Sequence, residues 1–204
     1  MKGHTSYISK ITPNFRLTMQ QKPEVSGAFE KLLKEIKPKQ IVEIGTAGGG
    51  TTLSIRETLD EIGLEKTDIK SFEVKEHKWF TEMRKRNIEI IVENIFSHSY
   101  KEIEKPEMVE SFIKREGTTL ILCDGGSKIN EFNLLSKYLK SGDIIMAHDY
   151  VDTNENFLKN YKNKIWNWRE IGDEHIKNTC EKYNLKSYMK ETFDKVVWVC
   201  KIKE

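Results

Sequence analysis

Apolar residues along this chain alternate between short extended runs and stretches spaced like one face of a helix. After Pro23, the positions Val25, Ala28, Phe29, Leu32, Leu33 and Ile36 recur at helical spacing until Pro38 stops them. Residues 41–44 read as a first strand, and 51–62 as a helix closed by Gly63. Residues 69–74 read as a second strand, followed by a helix across Trp79 and Met83, and 88–92 as a third. A fourth strand over 118–123 ends at Asp124, and its helix places Ile129, Phe132, Leu135 and Leu139 on one face before Gly142. A fifth over 143–147 ends at His148-Asp149. The pattern closes with a helix near 173–183 and a strand over 195–201. Residues before Pro23 show neither rhythm and read as irregular.

Strands that alternate with helices of this length predict an α/β fold with a parallel, doubly wound sheet. No helix follows the last strand, so antiparallel pairing at a sheet edge is expected there. The 204 residues suit one domain: a lead-in and helix over 1–38, then a Rossmann-like core over 39–204. A net charge of +2 with 32% charged residues gives a mixed surface, and nucleic acid or a membrane is not an expected partner. Cys123, Cys180 and Cys200 are too scattered for a zinc site or a disulfide framework. With no leader-like or membrane-length apolar run, a cytoplasmic chain is expected.

The most informative stretch is Ile41-Val-Glu-Ile-Gly-Thr-Ala-Gly-Gly-Gly50, then Thr51-Thr52-Leu53. A buried strand carrying an acid runs into a glycine-rich turn that opens a helix. Such a turn lets backbone approach a ligand closely, and the helix N-terminus offers free N–H groups. Gly45-x-Ala47-x-x-Gly50 also fits, loosely, a dinucleotide fingerprint. Glu73 closes the second strand, where a carboxylate suits the two hydroxyls of a ribose in either kind of ligand. Asn94 follows the third strand, as a contact to an adenine or as a turn residue. Asp124 and His148-Asp149 lie at the tips of two strands expected to be neighbours, a placement suited to a hard cation.

Glu43-x-Gly45-x-x-x-Gly49 resembles the first motif of class I S-adenosylmethionine (SAM) dependent methyltransferases. Asp124-Gly-Gly and His148-Asp149 resemble the metal-dependent small-molecule O-methyltransferases, in particular the cephalosporin-hydroxylase-like and macrocin O-methyltransferase-like branch. The resemblance implies a mostly parallel seven-stranded sheet with helices on both faces and an antiparallel last strand. It implies cofactor contacts from Glu43, Gly45, Thr46, Ala47, Gly49, Thr51, Glu73, Asn94 and Asp124, with Glu43 near the amino group of SAM. It also implies a divalent metal, Mg²⁺ or else Mn²⁺ or another transition metal, on Asp124 and Asp149 with His148 as third ligand. His148 instead suits a base or a residue supporting the ligands. Similar enzymes place a base where this chain has Ser127, which makes Lys128 the candidate, or a solvent-facing lysine of the helix's first turn. Gln20-Gln21-Lys22-Pro23 resembles a segment that approaches the cofactor, and Trp166 and Trp168 read as a substrate lid or as core.

The implied activity is metal-assisted O-methylation of a small hydroxylated acceptor, such as a sugar or a catechol-like compound. Two alternatives stand beside it: an NAD-dependent oxidoreductase, and a non-catalytic SAM-binding accessory protein.

Overall fold

The computed structural model describes residues 5–12 and 14–204. Strands β1 (Thr5–Ile8) and β2 (Arg16–Met19) form an antiparallel hairpin separate from the main sheet. This corrects the irregular reading of the lead-in, whose residues 1–4 and 13 lie outside the described ones. Two strands of four residues are too short to show a period. What holds them is a buried acid further along the chain. Glu57 accepts hydrogen bonds from Tyr7 Oη (2.9 Å), the Lys10 N–H (2.8 Å) and Ser9 Oγ, and pairs with Arg86 at 3.0 Å.

Helix α1 (Val25–Ile36) buries the predicted face and ends at left-handed Lys37, whose N–H returns to Leu33 O. Then come β3 (Gln40–Ile44), α2 (Gly50–Glu61), β4 (Asp68–Glu73), α3 (Phe80–Arg84) and β5 (Ile88–Val92). Next, α4 (Glu107–Ile113), β6 (Thr119–Cys123), α5 (Lys128–Leu135) and β7 (Ile144–Ala147) follow. Helix α4 was not anticipated, because seven residues give too few turns to register a period. A short α6 (Asn154–Asn156) runs into a π-helical turn over Phe157–Tyr161. The chain then forms α7 (Asp173–Lys182), β8 (Leu185–Ser187), α8 (Lys190–Phe193) and β9 (Val199–Lys203).

The seven-stranded sheet has the order β5-β4-β3-β6-β7-β9-β8. Strands β3 to β7 are mutually parallel, and β9 runs antiparallel to both β7 and β8. The Rossmann-like reading with an antiparallel last strand therefore holds. Its details change: β9 starts at Val199 and lies inside the sheet, while β8 takes the edge. Residues Asp194–Val196 form a 3-10 turn and Val197 is left-handed (φ 58°). Val196, Val197 and Trp198 are thus buried as a turn, although their apolar run reads like a strand.

Apolar clusters cover both faces of the sheet, one around Leu32, Leu53 and Trp198, the other around Ile121, Phe132 and Ile145. The chain winds outward from β3 through β4 and β5, then returns to build β6 and β7 on the other side. A crevice opens where that direction reverses, at the carboxyl ends of β3 and β6. Among the described residues, no helix is long and apolar enough to cross a membrane.

The hairpin's dependence on Glu57 is testable by calorimetry. Glu57→Ala leaves Arg86 without its buried partner and is expected to cost about 3–5 kcal/mol of stability. An unchanged melting temperature would show that the hairpin is held by other contacts.

Candidate functional site

The turn between β3 and α2 is shaped by the protein's own backbone. Gly45 has φ +90°, donates its N–H to Phe72 O at 2.9 Å, and would place a Cβ 2.4 Å from the carbonyl oxygen of Asp124. Only glycine lets the tips of β3 and β6 approach so closely. The next glycines answer to the hairpin: a Cβ at Gly48 would lie 2.2 Å from Thr18 Oγ1, and one at Gly50 2.3 Å from Met19 Cγ. The sequence suggested that the glycine run makes room for a ligand. In the structure much of that room is filled by β2, which bridges Gly49 through Thr18.

Glu43 lies beneath this turn. It is 2% exposed, accepts hydrogen bonds from Thr52 Oγ1 (2.6 Å) and Ser71 Oγ, and is not on the cavity wall. The two hydroxyls hold Glu43 beneath the turn rather than presenting it to the cavity. Burial pushes its pKa up to about 7, against the opposing effect of the two hydroxyl donors.

Above the turn lies a cavity of about 590 Å³. One end is walled by Gly45, Thr46, Ala47, Gly49, Thr51 and the hairpin residues Thr18 to Gln20. Glu73 stands at the tip of β4, accepting the Ala47 N–H (2.7 Å) and the Val74 N–H (2.8 Å). Asn94 accepts the Phe96 N–H at 3.0 Å, so it turns the chain and also faces the cavity. Phe96 and Tyr100, stacked with centroids 5.5 Å apart, add an aromatic wall that periodicity gave no reason to single out.

The other end holds Asp124, Asp149 and Lys128. Asp149 sits at a left-handed residue (φ 57°) that turns the chain just past the tip of β7. Its Oδ1 accepts Trp166 Nε1–H at 2.6 Å, and its Oδ2 is 3.3 Å from Lys128 Nζ. Asp124 accepts Gln21 Nε2–H at 2.9 Å on one oxygen and lies 3.1 Å from His148 Nδ1 on the other. Gln21 in turn accepts Trp198 Nε1–H at 2.8 Å. The segment before α1 thus approaches this site, through Gln20 on the wall and Gln21 on the carboxylate.

His148 itself is 2% exposed and off the cavity wall, packed between Trp166 and Trp198 with its Nε2 buried and unpartnered. That placement suits a residue that orients Asp124 rather than a base or metal ligand facing the cavity. Trp166 is buried in this box, whereas Trp168 is half exposed.

Glu170, which the sequence did not flag, completes the group. It accepts the Lys128 N–H (2.7 Å) and Lys128 Nζ (3.0 Å), and Nζ also reaches Gly125 O at 3.1 Å. Burial lowers the pKa of Lys128, but Asp124, Asp149 and Glu170 outweigh it, and the ammonium is held above the ordinary lysine range. Such a group keeps its proton at neutral pH, which argues against the role of general base. The expected metal fits no better. Among the described residues no group of three His, Cys, Asp or Glu side chains converges as ligands. Lys128 Nζ stands beside Asp124 and Asp149, where the ion was expected.

No family model and no curated protein sequence matches the chain. Solved structures do. A structure of CmcI with Mg and SAM is 14% identical, with a TM-score of 0.59 over 91% of this chain and 74% of that one. An O-methyltransferase family protein from Burkholderia thailandensis is 5% identical, with a TM-score of 0.54 over 88% of this chain and 55% of the other. Human N-acetylserotonin methyltransferase in complex with SAM is 10% identical, with a TM-score of 0.53 over 87% and 51%. The fold is that of a class I methyltransferase. In this methyltransferase fold the cavity described above lies at the carboxyl edge of the sheet, across the reversal between β3 and β6.

Glu43 gives the turn a pH signature. Its pKa is raised on folding, so its contribution is fully present below about pH 4.5 and is lost as pH rises through about 7. Glu43→Gln should therefore flatten part of the loss of folding stability between pH 5 and 8, by on the order of 1–3 kcal/mol. Parallel melting curves for the variant and the wild type across that range would contradict the assignment.

Proposed function

We propose that this chain is a SAM-dependent methyltransferase acting on the oxygen of a small hydroxylated acceptor. The observation that carries the reading is a single cavity that runs from the glycine turn and Glu73 to the paired carboxylates Asp124 and Asp149. A nucleoside fits the first end. Glu73 keeps acceptor lone pairs for the ribose hydroxyls, Asn94 and Phe96 flank the base, and Thr46, Ala47, Gly49 and Thr51 line the amino-acid tail. The methyl group then faces the acid end, where an acceptor hydroxyl donates to Asp124 or Asp149 and is held for in-line attack on the sulfonium. As the acceptor oxygen bonds the methyl carbon and the S–CH3 bond breaks to release S-adenosylhomocysteine, the hydroxyl proton passes to the carboxylate that accepts it, Asp124 or Asp149.

The structural neighbours described with SAM support the cofactor. Against the oxidoreductase reading, β2 packs on Gly48, Gly49 and Gly50 and narrows the approach to the start of α2, where a dinucleotide pyrophosphate is held. Carboxylates opening into the cavity give a catalytic protein more to work with than an accessory one would need. All three cysteines are free, which fits a reducing compartment such as the cytoplasm.

Calorimetric titration with S-adenosylhomocysteine (SAH) tests the reading. The wild type should bind it, NADH should give no heat, and Glu73→Ala should weaken SAH about 10- to 100-fold, the net worth of one hydrogen bond to a charged group. Binding of NADH without SAH would overturn the proposal.

A further inference from the structure

We infer that Lys128 is the resident cation of the acid end and that the wild-type site takes no divalent metal. The inference deepens the methyltransferase reading, on which it rests only for naming this end of the cavity as the acceptor's. Three carboxylates surround one ammonium: Glu170 at 3.0 Å, Asp149 at 3.3 Å and Asp124 at 3.9 Å. The ammonium is fixed rather than draped across the site. Its side chain is 9% exposed, and Gly125 O takes another of its hydrogen bonds.

Glu170 holds Lys128 from both ends, since one oxygen accepts the backbone N–H and the other accepts Nζ. Glu170 is itself fixed to the acid pair, because its own N–H donates to Asp149 O at 3.0 Å. The remaining carboxylate oxygens have partners as well. Asp149 Oδ1 takes the indole N–H of Trp166, Asp124 Oδ2 takes the amide of Gln21, and Asp124 Oδ1 faces His148. A divalent ion entering here would have to expel an ion-paired ammonium and take carboxylates away from these donors. The lysine therefore does what a metal would do electrostatically: it holds the acids together and offsets their charge.

This has a consequence for the acceptor. A metal favours two adjacent oxygens that chelate it, whereas here the three protons of the ammonium are taken by Glu170, Gly125 O and Asp149, and a single hydroxyl is held by donating to a carboxylate. Acceptors with one isolated hydroxyl are thus admitted. Removing the ammonium leaves three carboxylates with no cation among them; they do not converge as ligands around Lys128, and a hard divalent ion would draw their oxygens together in its place.

Calorimetric titration of Mn²⁺ alone, without SAM, tests the inference. The wild type and Lys128→Arg should give no specific heat up to millimolar Mn²⁺. Lys128→Met should bind one ion at least 10-fold more tightly than any residual wild-type binding, and Asp149→Asn added to it should abolish that gain. If Lys128→Met does not fold, Lys128→Gln, which keeps a hydrogen-bonding head, serves in its place. Stoichiometric Mn²⁺ binding by the wild type that Asp149→Asn removes would overturn the inference. So would a folded Lys128→Met protein that gains no ion. SAH affinity measured in EDTA separates the two readings: absent SAH binding with the predicted Mn²⁺ pattern would sink the methyltransferase proposal and leave the resident cation standing.

Discussion

The site depends on the contact between Gly45 and the backbone of Asp124. A Cβ at residue 45 would stand 2.4 Å from the Asp124 carbonyl oxygen, so the tips of β3 and β6 meet there with no side chain between them. The register of the two strands delivers the contact, because Ile44 pairs with Cys123 and the next residue on each strand is the one that meets. This approach joins the Glu73 end of the cavity to the acid end. A larger residue would push the turn away from the backbone of Asp124 and Gly125.

Around that contact the protein uses buried polar groups as fasteners. Glu43 ties the turn to β4 and α2 through two hydroxyls, and Glu57 ties the hairpin to α2 and Arg86. Glu131 accepts the N–H groups of Gly125 and Ser127 and fixes the loop after β6, with burial raising its pKa to about 7. A buried acid is costly unless its hydrogen bonds are met. Each of these three has protein donors. Their positions give the loops at this sheet edge a defined shape.

The sequence made the central sheet legible because β3, β6 and β7 are buried on every residue and read as continuous apolar runs. The strand tips were legible because an acid at or just past the end of a strand-like run marks a carboxyl edge, as with Glu73, Asp124 and Asp149. What escaped was decided by tertiary contact. The hairpin of β1 and β2 is held by Glu57, β8 by pairing with β9, and α4 by three inward residues on two turns. Within the site, the residue types were found but some directions were not. Glu43 and His148 turn away from the cavity because hydroxyl and carboxylate partners draw them into the protein. Glu170 lies in a loop with no pattern, so only its contacts with Lys128 mark it.

The central claim is that one ligand spans the contact between Gly45 and Asp124. A crystal structure of the protein with SAH tests it most directly. The account predicts the ribose on Glu73, the base beside Asn94 and Phe96, and the sulfur directed toward Asp124 and Asp149, with Lys128 Nζ still between the carboxylates. SAH bound outside this cavity, or an ion displacing Lys128 beside it, would contradict the account.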